Sequence, residues 1–139
     1  MNNGISEIVL EDAAYEAHRL AATTLPDDVK KAFVGMRNNE TKELPKSVLG
    51  SIVENFQVAE EDQRPICADV GVPRVYAVVG NEVSLNGGFI ALERAVRQAT
   101  ARITNDLAMR SNRCHPLTRH NPGNNIGVFA PNIEYRFEP

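Results

Sequence analysis

Two stretches of the sequence carry side chains that could do chemistry, and the first reads PICADVGVP over residues 65–73. Cys67 lies there two positions before Asp69, with Gly71 following. A turn after Cys67 would present the thiol and the carboxylate toward the same cleft. A cysteine thiolate is a metal ligand, but free cysteine is also among the most buried residue types. Taken alone, Cys67 favours a packing role, so its neighbours must decide between packing and metal binding.

The second stretch, MRSNRCHPLTRHNPGNN over residues 109–125, concentrates arginines in a segment interrupted by proline and glycine. Arg110, Arg113 and Arg119 could grip a carboxylate or a phosphate, because a guanidinium donates two parallel hydrogen bonds to either anion. The NGG at residues 86–88 lacks the Lys and Ser or Thr of a phosphate-binding loop. A solvated connection that happens to carry arginines explains this segment equally well, so both interpretations stay open.

The same segment also suggests a zinc site, formed by Cys114, His115 and His120 with Cys67 as a distant fourth ligand. The spacing is poor for zinc, because adjacent Cys and His side chains tend to diverge and the short paired spacings of structural sites are missing. We favour ordinary loop residues here and keep a zinc protein as a minor alternative.

The elements that must position these residues begin with three helices. Apolar residues from Ile5 to Ala21 recur at the spacing that lines one helix face, which predicts the first helix and its buried side. Pro26, followed by two aspartates, indicates the start of a second helix. Pro45 and the apolar stripe that follows it indicate a third.

After Gln63 the pattern changes, since RVYAVVG is typical of a strand and IEYRFE alternates apolar and charged residues. Between these strands, the segment from Phe89 to Ile103 predicts a long helix with Arg94, Arg97 and Arg102 facing water. We therefore predict an α+β domain over residues 1–139. Its amino-terminal helices, in a helical part at 1–62, pack on a small mixed sheet with one further long helix at 63–139.

The composition indicates a globular protein, with 42% hydrophobic residues, 24% charged residues and a net charge of −3. The basic residues form no stripe interleaved with aromatics, so we expect no nucleic-acid partner. We expect no membrane partner either, because no apolar run is long enough to span a bilayer and acids occupy the start of the chain. We predict a cytoplasmic protein whose two cysteines are reduced.

RPICADVGVP, MRSNRCHPLTRHNPGNN and the final IEYRFEP, in this order, resemble the amino-terminal part of the class I fumarate hydratases and the tartrate dehydratase alpha subunits. These families are iron–sulfur hydro-lyases. The resemblance implies an enzyme that reversibly adds or removes water on a small dicarboxylic 2-hydroxy acid. It also implies that the chain is the amino-terminal fragment of a longer hydro-lyase, or one subunit of a split enzyme.

The resemblance assigns roles to individual residues. Cys67 matches the cysteine that is one of three thiolate ligands of a four-iron, four-sulfur cluster in the family. Asp69 matches an acid that points at the substrate or its bound water, and Arg110 matches an arginine that grips a substrate carboxylate. Arg119 and Asn125 lie in PLTRHNPGNN, which resembles the family's PLTRENTGDN, and are secondary candidates for substrate contact.

Two departures from the family pattern bear on the substrate. Ala68 stands where many relatives have a substrate-contacting Gln and is a secondary candidate for substrate contact, and Val70 replaces a Thr. A polar contact is therefore missing, which places fumarate in doubt. Tartrate or a substituted malate are alternative substrates, and loss of activity is a further alternative.

The resemblance places the other two cluster cysteines further along the relatives' chain, and the catalytic base in a carboxyl-terminal domain or beta subunit. We assign no catalytic residue to this chain, and expect the isolated fragment neither to hold a stable cluster nor to turn over. The implied partners are the remaining part of the chain or a beta-type subunit, and a second copy in a homo-oligomer, the family's usual dimer. The alternative is a non-catalytic interaction domain whose arginine segment binds an acidic partner.

Overall fold

The computed structural model describes residues 4–69 and 72–139. Across them the chain forms four helices and two strands, which confirms the predicted α+β class. Val70 and Gly71, which figured in the sequence predictions, lie outside the described residues. The elements are α1 (Glu7–Thr23), α2 (Asp27–Asn39), α3 (Glu43–Glu61), β1 (Arg74–Gly80), α4 (Gly88–Asp106) and β2 (Asn132–Glu138).

Both proline signals lie at helix starts, as predicted. Pro26 caps α2 with an extended backbone, one position before the first helical residue, and Asp27 and Asp28 occupy the first turn. Pro45 lies inside the first turn of α3, which begins at Glu43. A proline is tolerated there because the first backbone N–H groups of a helix have no partner within the helix.

The chain divides into two compact units, and residues Leu20–Ala68 form one of them. Within it α2 and α3 pack together, with the rings of Phe33 and Phe56 centred 6.4 Å apart. Lys30 Nζ donates to Glu60 Oε2 at 2.8 Å between the same two helices. Val53 and Phe56 are buried on the predicted face of α3.

The other unit comprises the described residues before Leu20 and those from Asp69 onward. Its core lies along α4, where one apolar face of the helix is buried. Gly87, the N-cap residue just before α4, has φ of +85°, and a Cβ added there would lie 3.0 Å from the Ala91 methyl group, so both the backbone and the space favour glycine. The buried residues of the α4 face are Ala91, Ala95, Val96, Ala99 and Ile103.

The predicted buried side of α1 was wrong, since Ile8 and Val9 are 73% and 57% exposed. The opposite, more polar side of α1 makes contacts with α4 instead: Glu7 pairs with Arg94, and Glu11 pairs with Arg102 at 2.9 Å. The side of α1 that faces α4 is therefore marked by hydrogen bonds and ion pairs between residues far apart in the sequence, which apolar spacing alone does not reveal.

The sheet consists of two parallel strands, in register from Arg74 opposite Asn132 to Gly80 opposite Glu138. We predicted a mixed sheet, and among the described residues the strand pairing is parallel only. A parallel pair needs a long crossover, which here contains α4. Phe89 at the start of α4 packs edge-on against Tyr135 on β2, with ring centroids 5.5 Å apart.

Within the described ranges, we find no helix with the length and apolar character needed to cross a membrane.

Candidate functional site

Cys67 lies in a bend that spans residues 66–68. Both backbone polar groups of the preceding residue, Ile66, form hydrogen bonds. The N–H of Ile66 donates to the Ala22 carbonyl at 2.9 Å, and Asn55 Nδ2 donates to the Ile66 carbonyl at 2.9 Å. The Cys67 side chain is exposed. A packing role would bury the thiol, so the exposure contradicts that interpretation. Hydrogen bonds from α1 and α3 therefore hold the backbone that presents Cys67 to solvent.

The two residues after Cys67 are also exposed. Ala68 offers a methyl group, which cannot hydrogen-bond a substrate, and Asp69 offers a carboxylate. Cys67 and Ala68 belong to the unit Leu20–Ala68, while Asp69 begins the second segment of the other unit.

Arg110 and Arg119 lie in the long segment between α4 and β2, and both are exposed. Among the residues that the structure describes, neither guanidinium takes part in a hydrogen bond or an ion pair. Every other arginine side chain takes part in a hydrogen bond or an ion pair. The fold thus leaves these two cations available to an anion.

Arg113, the third arginine of the segment, has a structural role. Its Nη2 donates to the Val128 carbonyl at 3.0 Å, and a Cβ added to Gly127 would lie 3.2 Å from its Nε. Arg97 of α4 holds the same turn, because its Nη1 donates to the carbonyls of Gly127 at 3.2 Å and Ala130 at 3.0 Å. We predicted that Arg97 faces water, and these contacts correct that prediction.

Asn125, a predicted substrate contact, is 1% exposed and makes its hydrogen bonds inside the protein. Its Oδ1 accepts from the Asn112 N–H at 2.7 Å, and its Nδ2 donates to the Arg110 carbonyl at 3.1 Å. The same Nδ2 donates to Thr104 Oγ1 on α4 at 3.3 Å. The side chain therefore contacts the backbone on either side of Ser111.

A second asparagine of NPGNN holds Ser111 itself. Asn121 Oδ1 accepts from Ser111 Oγ at 2.6 Å, and Asn121 Nδ2 donates to the Ser111 carbonyl at 2.9 Å. The sequence signal was three asparagines around a Pro-Gly pair, which is typical of a turn whose asparagine side chains bond nearby amides. It did not indicate which groups Asn121 and Asn125 bind.

The histidines of the segment stabilise its local turn. His115 Nδ1 accepts from the N–H groups of Leu117 at 3.3 Å and Thr118 at 3.1 Å, and the His115 N–H donates to the His120 carbonyl at 2.7 Å. Over residues 4–69 and 72–139, no group of three or more His, Cys, Asp or Glu side chains is placed to hold a metal ion. Cys114 is exposed beside this turn.

A half-buried histidine that the sequence predictions missed, His18, lies on the polar side of α1. Neither ring nitrogen of His18 has a hydrogen-bond partner in the described part of the chain, and both are shielded from solvent. Burial lowers the pKa of His18, because the charged imidazolium loses its hydration. The neutral ring is the form that this site favours.

Comparison with known proteins gives one family match, to the model described as Fumarate hydratase (Fumerase), over residues 11–139. The chain is 34% identical over 129 residues to "Putative L(+)-tartrate dehydratase subunit alpha" of Methanocaldococcus jannaschii, a match that covers 93% of this chain and 45% of that protein. It is 30% identical over 127 residues to "Putative fumarate hydratase class I" of Geobacillus stearothermophilus, covering 91% of this chain and 24% of that protein.

A third relative is L(+)-tartrate dehydratase subunit alpha of Escherichia coli strain K12, which is 27% identical over 137 residues. That match covers 99% of this chain and 43% of the relative. The chain thus spans less than half the length of each of these relatives.

Proposed function

Because the chain belongs to the fumarate hydratase (Fumerase) family, we propose that it is part of a hydro-lyase acting on a small dicarboxylic 2-hydroxy acid. The reaction is the reversible addition or removal of water. The family match over residues 11–139 is the observation that carries this proposal. Relatives named as tartrate dehydratase alpha subunits and a fumarate hydratase support the same reaction class.

Arg110 is proposed to bind one carboxylate of the substrate. Its guanidinium is exposed and makes no hydrogen bond or ion pair with the described residues, whereas the fold uses Arg113 and Arg97 internally. A planar guanidinium donates two parallel hydrogen bonds to a carboxylate, and it stays charged at any physiological pH. Arg119 is the candidate for a further carboxylate contact for the same reason.

Asp69 is proposed to face the substrate or its bound water. Its carboxylate is exposed and follows Cys67 by two positions. The catalytic base is proposed to lie in the part of the enzyme outside this chain, so Asp69 has a binding role here.

The family's cofactor is a four-iron, four-sulfur cluster, and Cys67 fits one of its ligand positions. Thiolate is the ligand type that such clusters require, and the Cys67 side chain is exposed on a bend whose backbone is held by hydrogen bonds. When bound, such a cluster supplies an iron with an open coordination position that acts as a Lewis acid on a hydroxyl and a carboxylate. The two further thiolate ligands are proposed to come from the rest of the enzyme.

Ala68 is proposed to shift the substrate preference away from fumarate. The exposed methyl group cannot replace the amide of the glutamine found in many relatives, so one polar contact to the substrate is absent. We therefore expect a hydroxylated dicarboxylate such as tartrate to be turned over more efficiently than fumarate is hydrated. Two of the relatives, which are named as L(+)-tartrate dehydratase alpha subunits, support this preference.

The proposed partner is a beta-type subunit or a carboxyl-terminal domain, since two of the relatives are named alpha subunits. A homodimer and a cytoplasmic location complete the proposal. The competing proposal is a non-catalytic domain that binds an acidic partner. Arg110 and Arg119 would suit that role as well, because neither side chain pairs with a residue in the described part of the chain.

The test is a turnover assay on the complete protein, produced with any beta-type partner and reconstituted with iron and sulfide under anaerobic conditions. Dehydration of L(+)-tartrate and hydration of fumarate are measured for wild type, for Cys67→Ala and for the matched control Cys114→Ala. We expect turnover by wild type and Cys114→Ala, and its loss in Cys67→Ala. Wild type that turns over neither substrate would favour the non-catalytic domain.

A further inference from the structure

We propose that Asn125 is a positioning residue that fixes the backbone of residues 110–112 so that Arg110 is held in place for a substrate carboxylate. The proposal rests on the proposed function, because it assumes that Arg110 binds that carboxylate. It replaces direct substrate contact, the role predicted for Asn125 from the sequence.

The geometry places one side chain against both ends of a three-residue segment. Asn125 Nδ2 donates to the carbonyl of Arg110 at 3.1 Å, while Oδ1 accepts from the N–H of Asn112 at 2.7 Å. Two hydrogen bonds from one rigid amide group restrict the backbone angles between those residues. The backbone from which the Arg110 side chain extends is therefore ordered before any ligand arrives.

The asparagine is itself anchored to the buried side of α4. Its Nδ2 also donates to Thr104 Oγ1 at 3.3 Å, and that hydroxyl in turn donates to the Thr100 carbonyl at 2.7 Å. Thr104 and Thr100 are 3% and 1% exposed. The position of residues 110–112 is thus tied to the most buried helix of its unit, rather than to other residues of the segment alone.

Two independent constraints select asparagine at this position. The amide must donate toward the Arg110 carbonyl and accept from the Asn112 N–H, whereas an aspartate would bury a charge with an oxygen facing that carbonyl. The backbone of Asn125 also has φ of +58°, a left-handed conformation that asparagine adopts more readily than most residues.

The test uses Asn125→Gly, because glycine keeps the left-handed backbone and removes only the amide group. The first readout is hydrogen exchange at the Asn112 N–H, which we expect to become faster in the variant. Asn81→Gly is the matched control, because Asn81 is an exposed turn residue whose side chain contacts Glu82. Thr104→Val, which removes only the anchoring hydroxyl, is the milder variant if Asn125→Gly fails to fold.

The second readout is a double-mutant cycle on kcat/KM for L(+)-tartrate, measured in the complete reconstituted protein. We expect Asn125→Gly to lower kcat/KM about three- to tenfold, since Arg110 must then be ordered during binding. In an Arg110→Ala background we expect Asn125→Gly to cause no further loss, because its effect acts through Arg110. A merely structural role would give the same loss in both backgrounds.

The outcomes separate this proposal from the function on which it rests. An Arg110→Ala variant with the kcat/KM of wild type would refute the carboxylate contact, and the positioning role with it. If Arg110→Ala lowers kcat/KM but Asn125→Gly does not, only the positioning role is overturned. The same holds if Asn125→Gly lowers kcat/KM by the same factor in wild type and in Arg110→Ala.

Discussion

Arg110 and Arg113 lie three positions apart, and the structure predicts opposite consequences for their removal. Arg110 is exposed, and its side chain has no hydrogen bond or ion pair within the described residues, so Arg110→Ala should change the free energy of unfolding by less than about 0.5 kcal/mol. Hydrogen bonds that involve a charged group contribute about 1.5–3 kcal/mol. Loss of a carboxylate contact at Arg110 should therefore lower kcat/KM by roughly 10- to 150-fold.

Arg113 provides the matched control. Arg113→Ala removes the hydrogen bond to the Val128 carbonyl at 3.0 Å and the contact of the guanidinium with Gly127. We expect the free energy of unfolding to fall by about 1 kcal/mol, because the carbonyl can regain water as a partner. The effect on kcat/KM should be small beside that of Arg110→Ala.

Both variants are compared with wild type by urea unfolding of the chain, followed by circular dichroism, and by kinetics of the complete enzyme with L(+)-tartrate. Arg110→Ala should leave the unfolding midpoint unchanged and reduce kcat/KM. Arg113→Ala should lower the unfolding midpoint and change kcat/KM little. The reasoning is refuted if Arg110→Ala destabilises the chain as much as Arg113→Ala, or if the two variants lower kcat/KM equally.

Two further predictions concern stability. Burial lowers the pKa of His18, so the unfolded chain takes up a proton below about pH 6.5 while the folded chain resists protonation down to its lower pKa. The free energy of unfolding should therefore fall with decreasing pH in that window, by at most about 1.4 kcal/mol per pH unit. His18→Leu should remove this pH dependence of the free energy of unfolding, and the control His120→Gln, at an exposed histidine, should retain it. If urea unfolding across pH 5.5–7.5 gives both variants the same change in free energy per pH unit, the assignment to His18 is contradicted. Ile103 is 1% exposed on the buried face of α4, so Ile103→Ala should lower the free energy of unfolding by about 2–5 kcal/mol in the same assay. A loss below about 1 kcal/mol would contradict the packing of Ile103 in the core.

The sequence predicted those features of the fold that depend on neighbouring residues. Helices α2 and α3 begin near Pro26 and Pro45, and the strand RVYAVVG matches β1, because proline geometry and local side-chain patterns act over a few positions. The buried side of α1 was mispredicted, since the contacts of Glu7 with Arg94 and of Glu11 with Arg102 join residues far apart in the chain. The parallel pairing of β1 and β2 likewise depends on long-range contacts.

In the candidate site, too, some features followed from the sequence and others depended on contacts between residues far apart in the chain. Residue types and the family resemblance gave Cys67, Asp69 and Arg110 as candidates, and these assignments stay predictions. Arg113 donates to the Val128 carbonyl, whereas Arg110 has no partner among the described residues, and this difference depends on where the fold places carbonyl groups across the segment. The contacts of Asn125 also needed the fold, because its acceptors and donors lie 13 to 21 positions away.

The most direct test of the proposed enzyme is the iron and acid-labile sulfide content of the complete protein after anaerobic reconstitution, with its visible absorption. Wild type and Cys114→Ala should carry the same amounts of iron and sulfide and show the same cluster absorption. Cys67→Ala should lose both, because one of the thiolate ligands is removed. A Cys67→Ala protein that retains the wild-type iron and sulfide, or a wild-type protein that binds zinc instead, would contradict the assignment of Cys67 as a cluster ligand.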